Sequence, residues 1–155
     1  MRFLFYDRVL ELEIGKRMLA RKAVALSEEY FPHHFPRRAV VPATLLIETM
    51  AQVAGWLNVI TNEFAVATVL GLIEGVHIHE QANPGDVLDV EAWMMFVHVG
   101  GATLRGEIRR SGRPLATIDR MVFANGPVTD NAAIARERER FNYMSNGFKL
   151  EHASK

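Results

Sequence analysis

The stretch PATLLIETMAQVAGWLNVI, residues 42–60, decides the fold of this chain. Pro42 suits the first turn of a helix, because its ring fixes φ and its missing N–H is not needed there. Apolar residues follow on nearly every face, interrupted mainly by Glu48, Gln52 and Asn58. A helix that is apolar all round is normally buried, so the sequence predicts one core helix over this stretch.

Strand patterns flank this helix on both sides. Residues 8–26 alternate apolar and polar around Ile14-Gly15-Lys16, which predicts a hairpin. After the helix the sequence predicts four more strands, separated by turn signals such as Asn83-Pro84-Gly85, at residues 68–79, 86–98, 102–110 and 114–123. This order predicts an α+β domain in which an antiparallel sheet of about six strands wraps round the single helix.

The length of 155 residues fits one compact domain. We expect that domain to span residues 1–126. Beyond Gly126-Pro127 the composition turns polar, so residues 127–155 are expected to form an extension. Asp130 or Asn131 is the expected cap of a solvated helix there, and a frayed tail follows it.

The composition excludes several classes of function. The 18 Lys and Arg balance 18 Asp and Glu, so no overall field attracts nucleic acid or an anionic membrane. The absence of cysteine excludes thiol nucleophiles, disulfides and Cys-ligated metals. Charges at Arg2, Asp7 and Arg8 interrupt the N-terminal segment, and we expect no signal peptide and no spanning helix. A cytoplasmic protein that binds neither nucleic acid nor membrane is the expectation.

Glu48 is the anomaly of the predicted core helix. A carboxyl on a buried helix loses hydration, so it needs a partner or a raised pKa, and such groups cluster at functional sites. Gln52, one turn later, is placed to hydrogen-bond it. His34 lies in the preceding loop, between Pro32 and Pro36. The two reactive groups favour acid–base chemistry beside a carbonyl, with the alternative that Glu48 is satisfied structurally and His34 only packs.

A longer motif surrounds this pair. The run HFPRRAVVPATLLIETMAQ, residues 34–52, resembles the signature H-F-P-G-x-P-V-M-P-G-x-L-x-x-E-x-x-A-Q of the 3-hydroxyacyl-acyl-carrier-protein dehydratases. The reactive His and Glu of that family are 14 positions apart, as are His34 and Glu48 (48 − 34 = 14). FYDRVLEL, residues 5–12, is similar to the family's opening segment, and NPGD, residues 83–86, to its P-G-D turn. The resemblance covers about residues 3–123.

The resemblance implies a hot-dog fold and a homodimer, or a trimer of dimers, in which His34 of one chain faces Glu48 of the other. It implies loss of water from a (3R)-3-hydroxyacyl thioester on an acyl carrier protein, giving a trans-2-enoyl thioester, in fatty-acid or related polyketide-type synthesis. No metal or organic cofactor is implied. In the implied reaction His34 takes the C2 proton, and Glu48, expected to be kept protonated by burial and oriented by Gln52, protonates the departing hydroxyl. The backbone N–H of Ala43 corresponds to the position that polarises the carbonyl.

Several positions depart from the family pattern: Arg37 and Ala43 stand where the motif has glycine, Ala39 where it has proline, and His33 where the family has a glycine directly before the motif. If those glycines use positive φ, Arg37 and Ala43 introduce strain. Arg37 and Arg38 also suggest a contact with an acidic carrier protein or a phosphopantetheine phosphate, with solvated arginines as the alternative.

Other assignments remain open. A hot-dog thioesterase and a non-catalytic acyl-binding partner subunit are the alternatives to the dehydratase. His77 and His79 share one strand face, a spacing that suits a metal, but without a third ligand we interpret them as packing or surface residues.

Overall fold

A computed structural model describes residues 4–98 and 100–150 of the chain. Six strands and two helices follow the order β-β-α-β-β-β-β-α. Their bounds are β1 Arg8–Glu13, β2 Arg17–Ala23, α1 Ala43–Thr61, β3 Val66–Ile78, β4 Val87–His98, β5 Gly101–Arg110, β6 Arg113–Pro127 and α2 Asn131–Met144. Each strand expected from the sequence is present, and the ends differ by up to four residues (127 − 123 = 4 at β6).

The six strands form one sheet with the order β1-β2-β4-β5-β6-β3. Every neighbouring pair is antiparallel. Gly15, in the turn between β1 and β2, has a φ of +75°, which glycine adopts without a steric cost. Its N–H donates to Thr61 Oγ1 over 3.1 Å, so the hairpin is tied to the end of α1. The antiparallel sheet expected from the sequence is confirmed.

Helix α1 packs against the concave face of this sheet, which is the arrangement of a hot-dog fold. Its fully buried residues include Met50, Val53 and Leu57, which contact the core side chains of the strands. Gly106 on β5 lies directly against Met50, where an added Cβ would come within 3.1 Å of the Met50 side chain. The sheet therefore wraps closely round one side of the helix.

Among the described residues, α1 is the one helix that is long and apolar enough to cross a membrane by length and composition alone. That differs from the expectation of no such stretch. The same test is passed by core helices of globular proteins, and most of α1 is buried inside this fold. Its apolar composition is thus explained by packing against the sheet.

Helix α2 contacts the side of α1 that the sheet leaves open, through Phe141 and Trp56. Asp130 caps it, since its carboxylate accepts a hydrogen bond from the Ala132 N–H over 2.9 Å. Most of its side chains are exposed, but Phe141 is fully buried against Trp56 and Phe64, at ring-centroid distances of 5.4 and 6.2 Å. The expectation of a solvated terminal helix is therefore incomplete, because one aromatic side chain anchors it. The expected frayed tail at residues 151–155 lies outside the described residues.

Candidate active site

His34 lies in the loop between β2 and α1, where short turns hold the backbone. Its N–H donates to the carbonyls of Tyr30 and Phe31, at 3.0 and 3.3 Å. Phe35 and Arg38 exchange two backbone hydrogen bonds, at 2.9 and 3.0 Å, which close the following four residues into a tight turn. Proline at both ends of this segment prevents a longer helix, so the histidine is presented from a loop.

The half-buried imidazole of His34 is fixed on two sides. Its ring stacks on that of Phe35 at a centroid distance of 4.1 Å. Nδ1 faces the carbonyl oxygen of Val40 at 3.4 Å. Because a carbonyl oxygen only accepts, this contact is a hydrogen bond when Nδ1 carries the proton, and Nε2 is then left with a lone pair. That tautomer is the one a general base needs.

Glu48 is oriented by a short relay that begins at the backbone of the N-terminal segment. The Phe5 N–H donates to Gln52 Oε1 over 3.0 Å. Gln52 Nε2 in turn donates to Glu48 Oε1 over 2.9 Å. Since the amide oxygen is taken by Phe5, the amide nitrogen is directed at the carboxyl group. The hydrogen bond predicted between Gln52 and Glu48 from their spacing is confirmed.

The sequence-based reason for singling out Glu48 needs correction. Its carboxyl was expected to be desolvated by the core helix, but Glu48 is exposed within a single chain. The sheet covers only one side of α1, and Glu48 lies on the open side, in the first turns of the helix. One chain therefore does not supply the burial that was to keep this carboxyl protonated.

A single chain also leaves the two reactive side chains apart from each other. Within the described ranges 4–98 and 100–150, no hydrogen bond or ion pair joins His34 to Glu48. The ring is held by the loop and the carboxyl by the relay, so each is oriented independently.

The N-terminus of α1 offers uncapped backbone amides beside this loop. Ala43, its first residue, is exposed, and Pro42 at the N-cap supplies no side-chain hydrogen bond. The first turn contains no acidic residue. The first amides of a helix lack partners within the helix, and its dipole favours negative charge there. This end of α1 thus suits an oxygen that gains negative charge.

Arg37 and Arg38 are both exposed at the loop tip. Arg38 Nη2 donates to Gln81 Oε1 over 2.6 Å. Neither Arg37 nor Ala43 is among the non-glycine residues of positive φ, which are Glu63, Phe64, Ser111 and Asn146. The two departures from the glycines of the motif therefore introduce no backbone strain here.

His77 lies on edge strand β3, and His79 directly follows the end of that strand. Their rings are parallel at a centroid distance of 6.3 Å, and His77 Nε2 lies 3.4 Å from Asp119 Oδ2. In the part of the chain that the structure describes, no cluster of three or more His, Asp or Glu side chains is arranged to hold a metal ion. The pair is a surface feature.

Sequence reasoning missed three contributors to the site. The N–H of Phe5 and the carbonyl of Val40 orient the reactive side chains through the backbone, so no residue type indicates them. The third is α2, which lines a cavity beside Glu48 with Ala133 and Arg136. The sequence feature that could have indicated the packing of α2 is Phe141, a large apolar residue in a mainly polar segment.

Comparisons with known proteins show which family this chain resembles. Residues 1–127 match the FabA-like domain. The chain is 44% identical over 93 residues to the 3-hydroxyacyl-[acyl-carrier-protein] dehydratase FabZ of Pediococcus pentosaceus, covering 59% of this chain and 62% of that relative, less than two thirds of its length. Against the FabZ of Exiguobacterium sibiricum it is 37% identical over 129 residues, covering 82% and 86%.

A solved structure supports the fold. The dehydratase heterocomplex ApeI:P from Xenorhabdus doucetiae matches with a TM-score of 0.62 at 18% identity, over 88% of this chain and 90% of that chain. At that identity the likeness shows the hot-dog fold alone. The sequence matches go further, because the domain match spans most of the chain and the Exiguobacterium relative is covered over most of its length. As the motif resemblance predicts, this chain belongs to the FabA-like family, together with the FabZ 3-hydroxyacyl-acyl-carrier-protein dehydratases.

Proposed function

We propose that this protein removes water from 3-hydroxyacyl thioesters carried on an acyl carrier protein, giving trans-2-enoyl thioesters in fatty-acid biosynthesis. The observation that carries the proposal is the separate orientation of the two reactive groups. His34 Nδ1 faces the Val40 carbonyl oxygen, which favours the tautomer with a free Nε2, and Glu48 is held by the Gln52 relay on the open side of α1. Both stand where the dehydratase motif has its reactive pair.

The chemistry follows from these positions. His34 Nε2 removes the C2 proton, and the electrons of that C–H bond form the C2–C3 double bond as the C3–O bond breaks. Glu48, as the neutral acid, gives its proton to the departing hydroxyl, which leaves as water. Negative charge that develops on the thioester oxygen is stabilised by the amide of Ala43. The proton held by His34 then returns to Glu48 through solvent.

The proposed assembly is a homodimer in which His34 of one subunit faces Glu48 of the other. Strand β3 supports it, since β3 is a sheet edge of 13 residues that, in the described part of the chain, pairs with β6 alone. Val69 and Leu72 on β3 are 67% and 41% exposed. A long apolar edge strand needs a cover, and a second copy paired along β3 supplies one.

The exposed Arg37 and Arg38 beside His34 form the proposed contact with the acidic carrier protein or the phosphopantetheine phosphate. Their charge and exposure support this, since guanidinium groups bind phosphate and carboxylate groups well. We place the enzyme in the cytoplasm, with no metal or organic cofactor in the reaction.

The test is interconversion of 3-hydroxyacyl and 2-enoyl carrier thioesters, followed by mass. His34→Ala and Glu48→Gln should each lower kcat by about 10²–10⁴, the usual contribution of general acids and bases. His33→Ala and Glu139→Gln are matched controls, one beside the loop histidine and one on the exposed side of α2. Release of free acid without interconversion would identify a thioesterase instead, and no chemistry on any thioester would indicate a binding subunit.

Mixed dimers test the shared site directly. Refolding His34→Ala and Glu48→Gln chains together in equal amounts makes half of the dimers hybrids, each with one intact site. The mixture should regain about a quarter of wild-type activity, because the site spans a two-fold interface. A mixture as inactive as its parents would contradict the pairing across subunits. Light scattering then distinguishes a dimer from a trimer of dimers.

A further inference from the structure

Helix α2 lies beyond the matched domain, yet it forms one wall of a cavity that contains Glu48. This cavity, the α1–α2 groove, has a volume of about 570 Å³ and runs between α1, the start of β3 and α2. The α2 wall consists of Ala133, Arg136, Glu137 and Arg140. A volume of this size lies within the usual range for small-molecule sites, about 300–1,000 Å³.

The α2 wall is held firmly in place. Phe141 is fully buried and packs on Trp56, which itself lines the groove. The guanidinium of Arg140 lies over the Trp56 ring at 5.7 Å. At the other end, the Val128 N–H donates to the Ala65 carbonyl over 2.8 Å, just before the capped start of α2. The wall is therefore anchored at both ends.

The floor of the groove is mostly apolar, with Gln52 and Thr68 as polar residues, and its α2 side is charged. Ala51, Gly55 and Val59 of α1 form the floor together with Val66 and Leu70 of β3. On the α2 side, Arg140 pairs with Glu137 at 3.5 Å, and Arg136 pairs with Asp130 at 3.7 Å. Because these charges are paired at the rim and the floor is mostly apolar, the groove suits an uncharged hydrocarbon chain more than an ion.

The groove also begins at the reactive carboxyl. Glu48 and Val59 are eleven residues apart on α1 (59 − 48 = 11), which at about 1.5 Å per residue gives a floor of about 16 Å. The small side chains of Ala51 and Gly55 leave space above the floor of the groove, and the small side chain of Ala133 leaves space at the opposite wall. An extended alkyl chain whose reacting end lies at Glu48 follows this floor.

We infer that α2 is the specificity element of this enzyme: the distal part of the substrate's acyl chain lies in the α1–α2 groove, and Ala133 sets how much chain the groove accepts. The inference rests on the proposed function, because it takes the acyl thioester as the occupant. It adds that the segment after the family domain, and not the domain alone, selects the chain length.

A matched pair of substitutions tests this. Ala133→Phe places a ring in the groove, whereas Ala135→Phe places the same ring on the exposed side of the same helix. Calorimetry of the full-length protein with saturated palmitoyl and butyryl carrier thioesters measures binding without turnover. Ala133→Phe should weaken palmitoyl binding, relative to butyryl binding, by about tenfold or more compared with Ala135→Phe, since a filled apolar pocket rejects added methylenes.

Turnover provides the second measurement. The ratio of kcat/KM for 3-hydroxypalmitoyl to 3-hydroxybutyryl thioester should fall in Ala133→Phe by a similar factor. Hydrogen exchange of the α2 amides shows whether the helix stays docked, and the smaller Ala133→Leu decides the question if the larger ring displaces it. Equal palmitoyl affinities in the Ala133 and Ala135 variants would overturn the inference. A wild type that binds both thioesters but interconverts neither would overturn the proposed function instead.

Discussion

Replacing Phe141 by alanine should release α2 from the rest of the domain. Phe141 is the one α2 residue that is fully buried, and its ring packs between Trp56 and Phe64. The backbone around it is also tied to β1, because the Val9 N–H donates to the Ser145 carbonyl over 3.2 Å. The substitution therefore removes the main apolar contact of a helix whose other side chains are mostly exposed.

The size of the effect follows from this burial. Truncating a buried Phe to Ala usually costs about 3–5 kcal/mol, which combines the lost transfer free energy with the cavity left behind. Here the decrease in the free energy of unfolding has an upper limit, because α2 can detach instead of leaving a cavity. That limit is the free energy with which α2 docks on the rest of the domain. We expect a decrease of about 3 kcal/mol in the free energy of unfolding, with α2 opening before the sheet.

Urea denaturation gives the stability change, and hydrogen exchange of the α2 amides reports the local opening. Trp56 fluorescence should shift as its aromatic neighbour is lost. Tyr143→Ala is the control on the same helix, since Tyr143 is 70% exposed, and it should cost less than about 1 kcal/mol. If Phe141→Ala costs less than the control and leaves exchange in α2 unchanged, the anchoring role assigned to Phe141 is wrong.

Two further predictions concern a buried hydroxyl and the loop arginines. Burial raises the pKa of Tyr6, and within residues 4–98 and 100–150 its hydroxyl has no hydrogen-bond partner. Tyr6→Phe should therefore raise the free energy of unfolding by about 1 kcal/mol in urea denaturation, and a comparable loss would show that the hydroxyl is bonded. Charge reversal of Arg37 and Arg38 to Glu should lower kcat/KM about tenfold more on carrier-bound substrate than on a pantetheine thioester. Equal losses on both substrates would argue against a docking role.

Much of the fold could be predicted from local patterns. The all-apolar stretch after Pro42 indicated α1, and turn residues such as Gly15 and Gly85 marked the ends of the strands. Both signals are local. The burial of a helix is indicated by the apolar composition of one segment, and a positive φ favours glycine at one position. The spacing of His34 and Glu48 within the motif likewise required no structure.

The environment of His34 and Glu48 could not be predicted from local patterns. The sequence indicated a buried Glu48, yet the sheet covers only one side of α1 and leaves this carboxyl exposed in a single chain. The relay from Phe5 and the contact of His34 with Val40 use backbone atoms, which every residue carries, so no side-chain pattern indicates them.

By itself the sequence determined the order of elements and the core helix, and it predicted His34 and Glu48 as the acid–base pair, since each of these depends on residue types within a short segment. Only the tertiary structure decided that α2 contacts α1, that Phe141 anchors it, and that a groove leads from Glu48 between the two helices. These features depend on which surfaces meet across long separations in the chain. A single buried aromatic ring can anchor one helix on another even when the surrounding segment is polar, because the burial and close packing of that ring supply the stabilisation.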